Sequence, residues 1–347
     1  MLTNRQNRGI TYFISRALFI GGGIANIFVI TGPDAWISVI LGTILGIFFI
    51  YLINNISSNL KVPLNIYLKS NTPLNIAIKL IFLLFYSHII FITLLSITIL
   101  VSSYFLPYTP PIFISIPFLL LALLITKKGF KCLGKFSEIF FYICIIPIIT
   151  SALLLLPSFD ITSFFPIFTT NSNHILIASL FFATLSATPH LLMLNEKRTL
   201  KSDIIHYLIA VISLLIVFLI TSGVLGESLI KMYSYPEYVV LRKIQAFNFS
   251  ENIENIIAFI WIIDAFITLS AASIKLTTEV ITKKYSLHII YLIILLIINF
   301  VIVKHFGASI IVYKYFIYIL LILFILLILL LLIKKRTKSF KSNEIYK

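Results

Sequence analysis

Apolar residues come in long uninterrupted runs, and these recur along the chain with only short polar gaps between them. The runs lie roughly at 10 to 31, 34 to 54, 74 to 103, 110 to 126, 137 to 157, 174 to 193, 203 to 226, 253 to 274, 286 to 303 and 310 to 333. At 1.5 Å rise per residue, each is about long enough to cross the hydrocarbon core of a bilayer as a helix. The pattern predicts an all-α polytopic membrane protein of about ten transmembrane helices. No gap is long enough for a soluble domain, so residues 1–347 read as a single membrane domain. The first run continues past signal-peptide length without a small-residue cleavage site, which reads as a retained first helix.

Charge gives these spans an orientation. Gaps on the N-terminal side hold Arg5 and Arg8; Lys61 and Lys69; Lys127, Lys128, Lys131 and Lys135; Lys197, Arg198 and Lys201; and Lys283 and Lys284. The tail 334–347 adds Lys334, Lys335, Arg336, Lys338, Lys341 and Lys347, making nineteen basic residues on that side. The opposite gaps hold four: Lys231, Arg242, Lys243 and Lys304. Basic loops resist translocation, so both termini and the basic tail are expected in the cytoplasm. The longest polar insert, Glu227 to Asn252, then lies outside. Its amphipathic stretch with Tyr238, Leu241, Ile244 and Gln245 reads as a short helix on the membrane or over the mouth of a pocket, or as a solvated connector.

Composition agrees: 60% of the residues are hydrophobic and 11% charged, with a mean hydropathy of +1.09. The net charge of +15 is scattered over loops and tail, so topology accounts for it and nucleic acid is not an expected partner. Cys132 and Cys144 form neither a disulfide framework nor a metal cluster. No P-loop, nucleophile elbow, HExxH or paired intramembrane carboxylate occurs, so no enzyme, metal or cofactor is expected.

Two spans carry helix-breaking sequence near their middle. The first contains Gly21-Gly22-Gly23, and the sixth contains Thr184-Leu185-Ser186-Ala187-Thr188-Pro189. Glycine is costly in a helix and proline removes a backbone hydrogen bond. These are the first helices of two five-helix halves, 10–157 and 174–333, and interruptions at matching places point to a transporter-type site at the midplane. The competing reading is close helix packing at the glycines and an ordinary kink at Pro189. The expected ligand-binding residues are Gly22, Gly23, Ile24 and Ala25 with Ser186, Ala187 and Thr188, closed by Tyr86, Asp264 and Thr268. Trp261, Asp264, Thr268 and Lys275 share one face of the eighth span, and Lys79, Tyr86 and Thr93 share a face of the third. Intramembrane charge is costly and commonly faces a cavity or a partner. Lys79 can instead snorkel, Arg16 can snorkel or pair with a carboxylate, and His88 and His190 fit hydrogen-bonded packing roles.

Two further segments carry a family resemblance. Tyr235-Pro236-Glu237-Tyr238, followed by Arg242, Ile244, Phe249, Glu251, Glu254 and Trp261, resembles the pattern of endospore germination permeases, the B subunits of GerA-type germinant receptors. Gly32-Pro33-Asp34-Ala35-Trp36-Ile37-Ser38 is similar to the Asp-Ala-Trp segment of that family. The resemblance implies the amino acid–polyamine–organocation fold, with two inverted five-helix, LeuT-like repeats. It also implies sensing of a small-molecule germinant in the spore inner membrane, together with a larger A subunit and a lipoprotein C subunit. One departure is Ile24-Ala25-Asn26-Ile27, where the family commonly has Leu-Pro after the glycines. The alternative function is a secondary amino-acid or solute transporter with ion coupling, with Asp264 as a cation or proton site.

Overall fold

The computed structural model describes residues 2–19, 22–59, 64–68, 72–196, 198–244, 253–281, 285–306 and 310–345. The regular elements are helices: α1 (Asn4–Arg16), α2 (Gly23–Thr31), α3 (Ala35–Asn59), α4 (Leu64–Tyr67), α5 (Pro73–Tyr104), α6 (Pro111–Lys128), α7 (Phe130–Leu155), α8 (Ser172–Ala187), α9 (Leu200–Met232), α10 (Pro236–Leu241), α11 (Ile253–Lys275), α12 (Tyr285–Phe306) and α13 (Ile310–Ile345). Short 3₁₀ turns at Gly32–Asp34 and Thr188–Met193 link some of them, and a π turn at Leu276–Val280 extends α11.

Nine helical stretches among the described residues are long and apolar enough to cross a membrane, and α2 with α3 forms one of them. The expected first span departs from this pattern. It is divided into α1, with 13 residues, and α2, with 9 residues, neither long enough to cross alone.

Helix boundaries follow local chemistry. Thr3 and Gln6 form a reciprocal capping box at the start of α1. Thr72 and Thr199 cap α5 and α9 through their hydroxyls. Helix α7 starts at Phe130, several residues ahead of its apolar run, directly after Gly129 at φ of +84°. The tail differs from expectation at its start. Lys334 Nζ is buried, donates to Tyr67 O at 2.9 Å and Asn75 Oδ1 at 2.5 Å, and lies 3.9 Å from the Tyr67 ring centroid. It anchors α13 to α4 and α5. Lys61, Lys69, Lys197, Lys283, Lys284 and Lys347 lie outside the described residues.

Helix α1 packs against α7, α9 and α11, α2 against α8 and α9, and α3 along α8. α5, α8 and α11 are largely buried, whereas α6, α7 and α12 turn most of their surface outward. The two interrupted spans therefore lie inside the bundle, where protein can satisfy irregular backbone.

Candidate functional site: two helix breaks and a buried ion pair

The first break falls where the glycines place it. Gly22 has φ of +121°, a conformation that side chains rarely adopt. Past the end of α1, the Leu18 carbonyl accepts from the Tyr313 hydroxyl of α13, and the Gly22 carbonyl accepts from Asn26 Nδ2 at 2.8 Å. A side chain thus stands in for the helical partner of the Leu18 carbonyl, while the Gly22 carbonyl keeps its bond from Asn26 N at 3.0 Å and gains the side-chain one. Gly21 lies outside the described residues. At the second break α8 ends at Ala187 and tightens into the 3₁₀ turn Thr188–Met193, with Pro189 near its start.

A hydrogen bond joins the two breaks: Ser15 Oγ lies 2.8 Å from His190 Nε2. Ser186 Oγ lies 2.9 Å from the Tyr207 hydroxyl of α9, and that approach depends on Gly46, where a Cβ would overlap the hydroxyl. Thr188 Oγ1 bonds its own helix at Thr184 O, 2.8 Å away. Ile24, Ala25 and Ala187 are buried.

Next to the first break sits the ion pair that gives the site its electrostatics. Arg16 Nη2 lies 3.2 Å from Asp264 Oδ2, and both side chains are fully buried. Arg16 Nη1 also donates to the Tyr12 hydroxyl and, at 3.0 Å, to Ser213 Oγ of α9. Isolated buried charges cost several kcal/mol, so each stabilises the other in place. Of the two roles open to Arg16 in the sequence, the structure shows pairing. The pair still leaves Arg16 Nε and Asp264 Oδ1 without hydrogen-bond partners among the described residues. Thr268 lies one turn along α11 and bonds the Asp264 carbonyl at 3.0 Å.

Tyr86 lies in a different network. Its hydroxyl donates to Glu279 Oε2 at 2.6 Å, while Glu279 Oε1 accepts from Asn195 Nδ2 at 2.5 Å and lies 3.1 Å from Lys275 Nζ. Glu196 is 3.8 Å from Lys275. This hub ties α5, the segment after the second break and the π turn of α11 at one end of the bundle. Glu279 did not figure among the expected residues. Its signal was its position four residues after Lys275, the spacing of a helical ion pair. His88 packs as expected, with Nε2 2.7 Å from Phe316 O.

The motif segments form the other end. Asp34 is buried, and its carboxylate accepts from Phe168 N at 2.6 Å and Thr170 N at 2.8 Å, fastening the start of α3 to the segment before α8. Asp34→Ala is expected to cost about 1–3 kcal/mol by orphaning these amides, with Asp34→Asn intermediate. Thermal unfolding of the detergent-solubilised protein measures this. In the insert from Glu227 to Asn252 the helix reading holds for α10. Tyr235 donates to Ser96 O at 2.9 Å, Tyr238 packs on Tyr104 with centroids 4.5 Å apart, and Arg242 lies over both the Tyr104 and Tyr238 rings. Trp261 meets Tyr238 edge-on. Gln245, Phe249, Glu251 and Asn252 lie outside the described residues.

A helical bundle with two interrupted spans and a buried charge pair beside one of them describes a membrane protein of permease type. The chain belongs to the spore germination protein family of spore permeases, whose model matches residues 19–306. It is also similar to YfkT of Bacillus subtilis (strain 168), whose descriptive name refers to spore germination. The two are 26% identical over 236 residues, which is 66% of this chain and 65% of YfkT.

Proposed function

We propose that this chain is the membrane subunit of a nutrient-germinant receptor, binding a small germinant, an amino acid or similar molecule, where the two helix breaks meet. The reading rests on the Arg16–Asp264 pair beside the first break. A zwitterion offers an ammonium to Asp264 and a carboxylate to Arg16, so it can replace the internal pair without leaving net charge buried. Gly22, Gly23, Ile24 and Ala25 with Ser186, Ala187 and Thr188 form the surrounding wall, and Thr268 lies one turn beyond Asp264. Tyr86 acts from the Glu279 hub.

Binding that splits the pair favours a second arrangement of α1 against α11. Differential affinity for the two arrangements is the signal passed to an A subunit and a lipoprotein C subunit. The fold in this proposal is LeuT-like, with inverted repeats 10–157 and 174–333, supported by the matching positions of the breaks. An ion-coupled transporter that used Asp264 as its cation site would have to displace the Arg16 guanidinium, which stands 3.2 Å away.

Deletion in the native host, followed by a nutrient screen of spore germination, tests the receptor role. Loss of response to a defined set of nutrients is expected, and an unchanged nutrient profile overturns it. Uptake of labelled amino acids into proteoliposomes would support the transport reading instead. We place both termini in the cytoplasm and the protein in the spore inner membrane. A cysteine at Lys128 should then react with impermeant reagents only from the cytoplasmic face, and one at the fully exposed Tyr108 only from outside. Labelling of both from one side overturns this orientation.

A further inference from the structure

Beside α1, helices α7 and α9 border a cavity of about 210 Å³, lined by Ile145, Ile148, Ile149, Ile209, Ile212 and Ile216, with Tyr12 and Ser213 as its polar walls. Ile149 and Ile212 are 47% and 54% exposed on the outward surface of these spans, so the cavity is continuous with the protein's interface with the bilayer. Charged solutes gain nothing in such a lining, whereas hydrocarbon enters it from the adjacent phase at little cost.

A cation stands one helical turn from this cavity. Arg8 precedes Tyr12 by four residues on α1, its side chain stacks 4.6 Å from the Phe141 centroid of α7, and its Nη2 donates to the Tyr142 hydroxyl. Tyr142 precedes Ile145 by three residues, and on α9 His206 precedes Ile209 by three. The Nε of Arg8 is buried with no hydrogen-bond partner among the described residues. Arg8 lies near the start of α1, at the membrane end that the charge distribution makes cytoplasmic.

From this juxtaposition we propose that the α1–α7–α9 seam binds one anionic phospholipid of the cytoplasmic leaflet, its phosphate at Arg8 and one acyl chain in the isoleucine cavity. The charge and the cavity are arranged as headgroup and tail are, with the cation towards the interface and the apolar space one turn deeper. The site is distinct from the germinant site but shares two residues with its support. Tyr12 and Ser213, which wall the cavity, are the groups that hold Arg16. An acyl chain in the cavity therefore supports the Arg16 position, and its departure leaves those walls uncovered.

The test uses the full chain in phosphatidylcholine nanodiscs doped with phosphatidylglycerol bearing a photoactivatable diazirine on one acyl chain, with crosslinks mapped by mass spectrometry. Crosslinks should concentrate on the Ile145–Ile149 and Ile209–Ile216 segments and be competed about five-fold better by unlabelled phosphatidylglycerol than by phosphatidylcholine. Ile212→Trp, which fills the cavity, should remove them, while labelling at the lipid-facing Leu120 and Leu124 of α6 persists. Arg8→Gln should abolish the headgroup preference and Arg8→Lys should retain it. If α7 and α9 label no more than α6 and respond to neither Ile212→Trp nor Arg8→Gln, the contacts are ordinary annular lipid and the proposal fails, whatever the germination phenotype.

Discussion

Asp264→Leu is expected to remove most of the protein from the spore membrane, whereas Arg16→Leu/Asp264→Leu should restore much of its abundance. The single change leaves the Arg16 guanidinium buried without its counter-charge, a loss of about 3–5 kcal/mol. Tyr12 and Ser213 can hydrogen-bond Arg16 but cannot neutralise it. Asp264→Asn meets the same difficulty: it keeps the shape of the side chain, yet Arg16 stays charged, so abundance should fall here too. Removing both charges replaces a buried ion pair by apolar groups, which is often neutral for stability.

Germination separates structure from recognition. If the pair serves only to hold α1 against α11, the double variant should respond to nutrients in proportion to its abundance. If the pair is the germinant contact, the double variant should be present but unresponsive. Immunoblots and germination dose-responses on the same spores measure both quantities. Wild-type abundance in Asp264→Leu would overturn the assignment of a buried pair, and a wild-type dose-response in the double variant would overturn its role in recognition.

Much of this arrangement was legible in the chain, because the features concerned are local. Glycine and proline act on the backbone where they stand, so both breaks were readable, and apolar run length placed the spans. Asp264 stood out as a charge inside an apolar run. Arg16 was visible, but its partner was not, since the two are far apart in sequence and only the packing of α1 on α11 joins them. Tyr86 shared a helical face that looked suited to the pocket. Its hydroxyl reaches Glu279 in the π turn after Lys275, a residue whose sequence signal was its spacing of four from Lys275 and whose contact with Tyr86 comes only from the packing of α11 on α5. Lys334 counted as a tail charge for a similar reason: α4, which supplies its partner Tyr67, is a single helical turn too short to register as an apolar run.

The second large effect is expected at the first break, where neighbouring glycines should respond differently to the same substitution. Gly22 is held at φ of +121°, so Gly22→Ala is strained whatever space surrounds it, and the new Cβ would also lie 3.3 Å from the Tyr313 ring. Such strain costs about 1–3 kcal/mol, enough to reduce the population of the native break by about five-fold to about 150-fold. At Gly23 the obstacle is steric: a Cβ there would meet the Phe19 ring at 2.8 Å, without a left-handed backbone to forbid it. Gly23→Ala should therefore be rescued by Phe19→Leu, while Gly22→Ala should not be rescued by any trimming of its neighbours. Tyr313→Phe, which takes away the donor to the Leu18 carbonyl, should reproduce the Gly22→Ala phenotype, because a carbonyl freed at membrane depth then has lost its partner. The measurement is germinant response normalised to membrane abundance across the four variants. If Gly22→Ala and Tyr313→Phe both respond as wild type, the irregular backbone at this break is dispensable and the germinant site does not lie there.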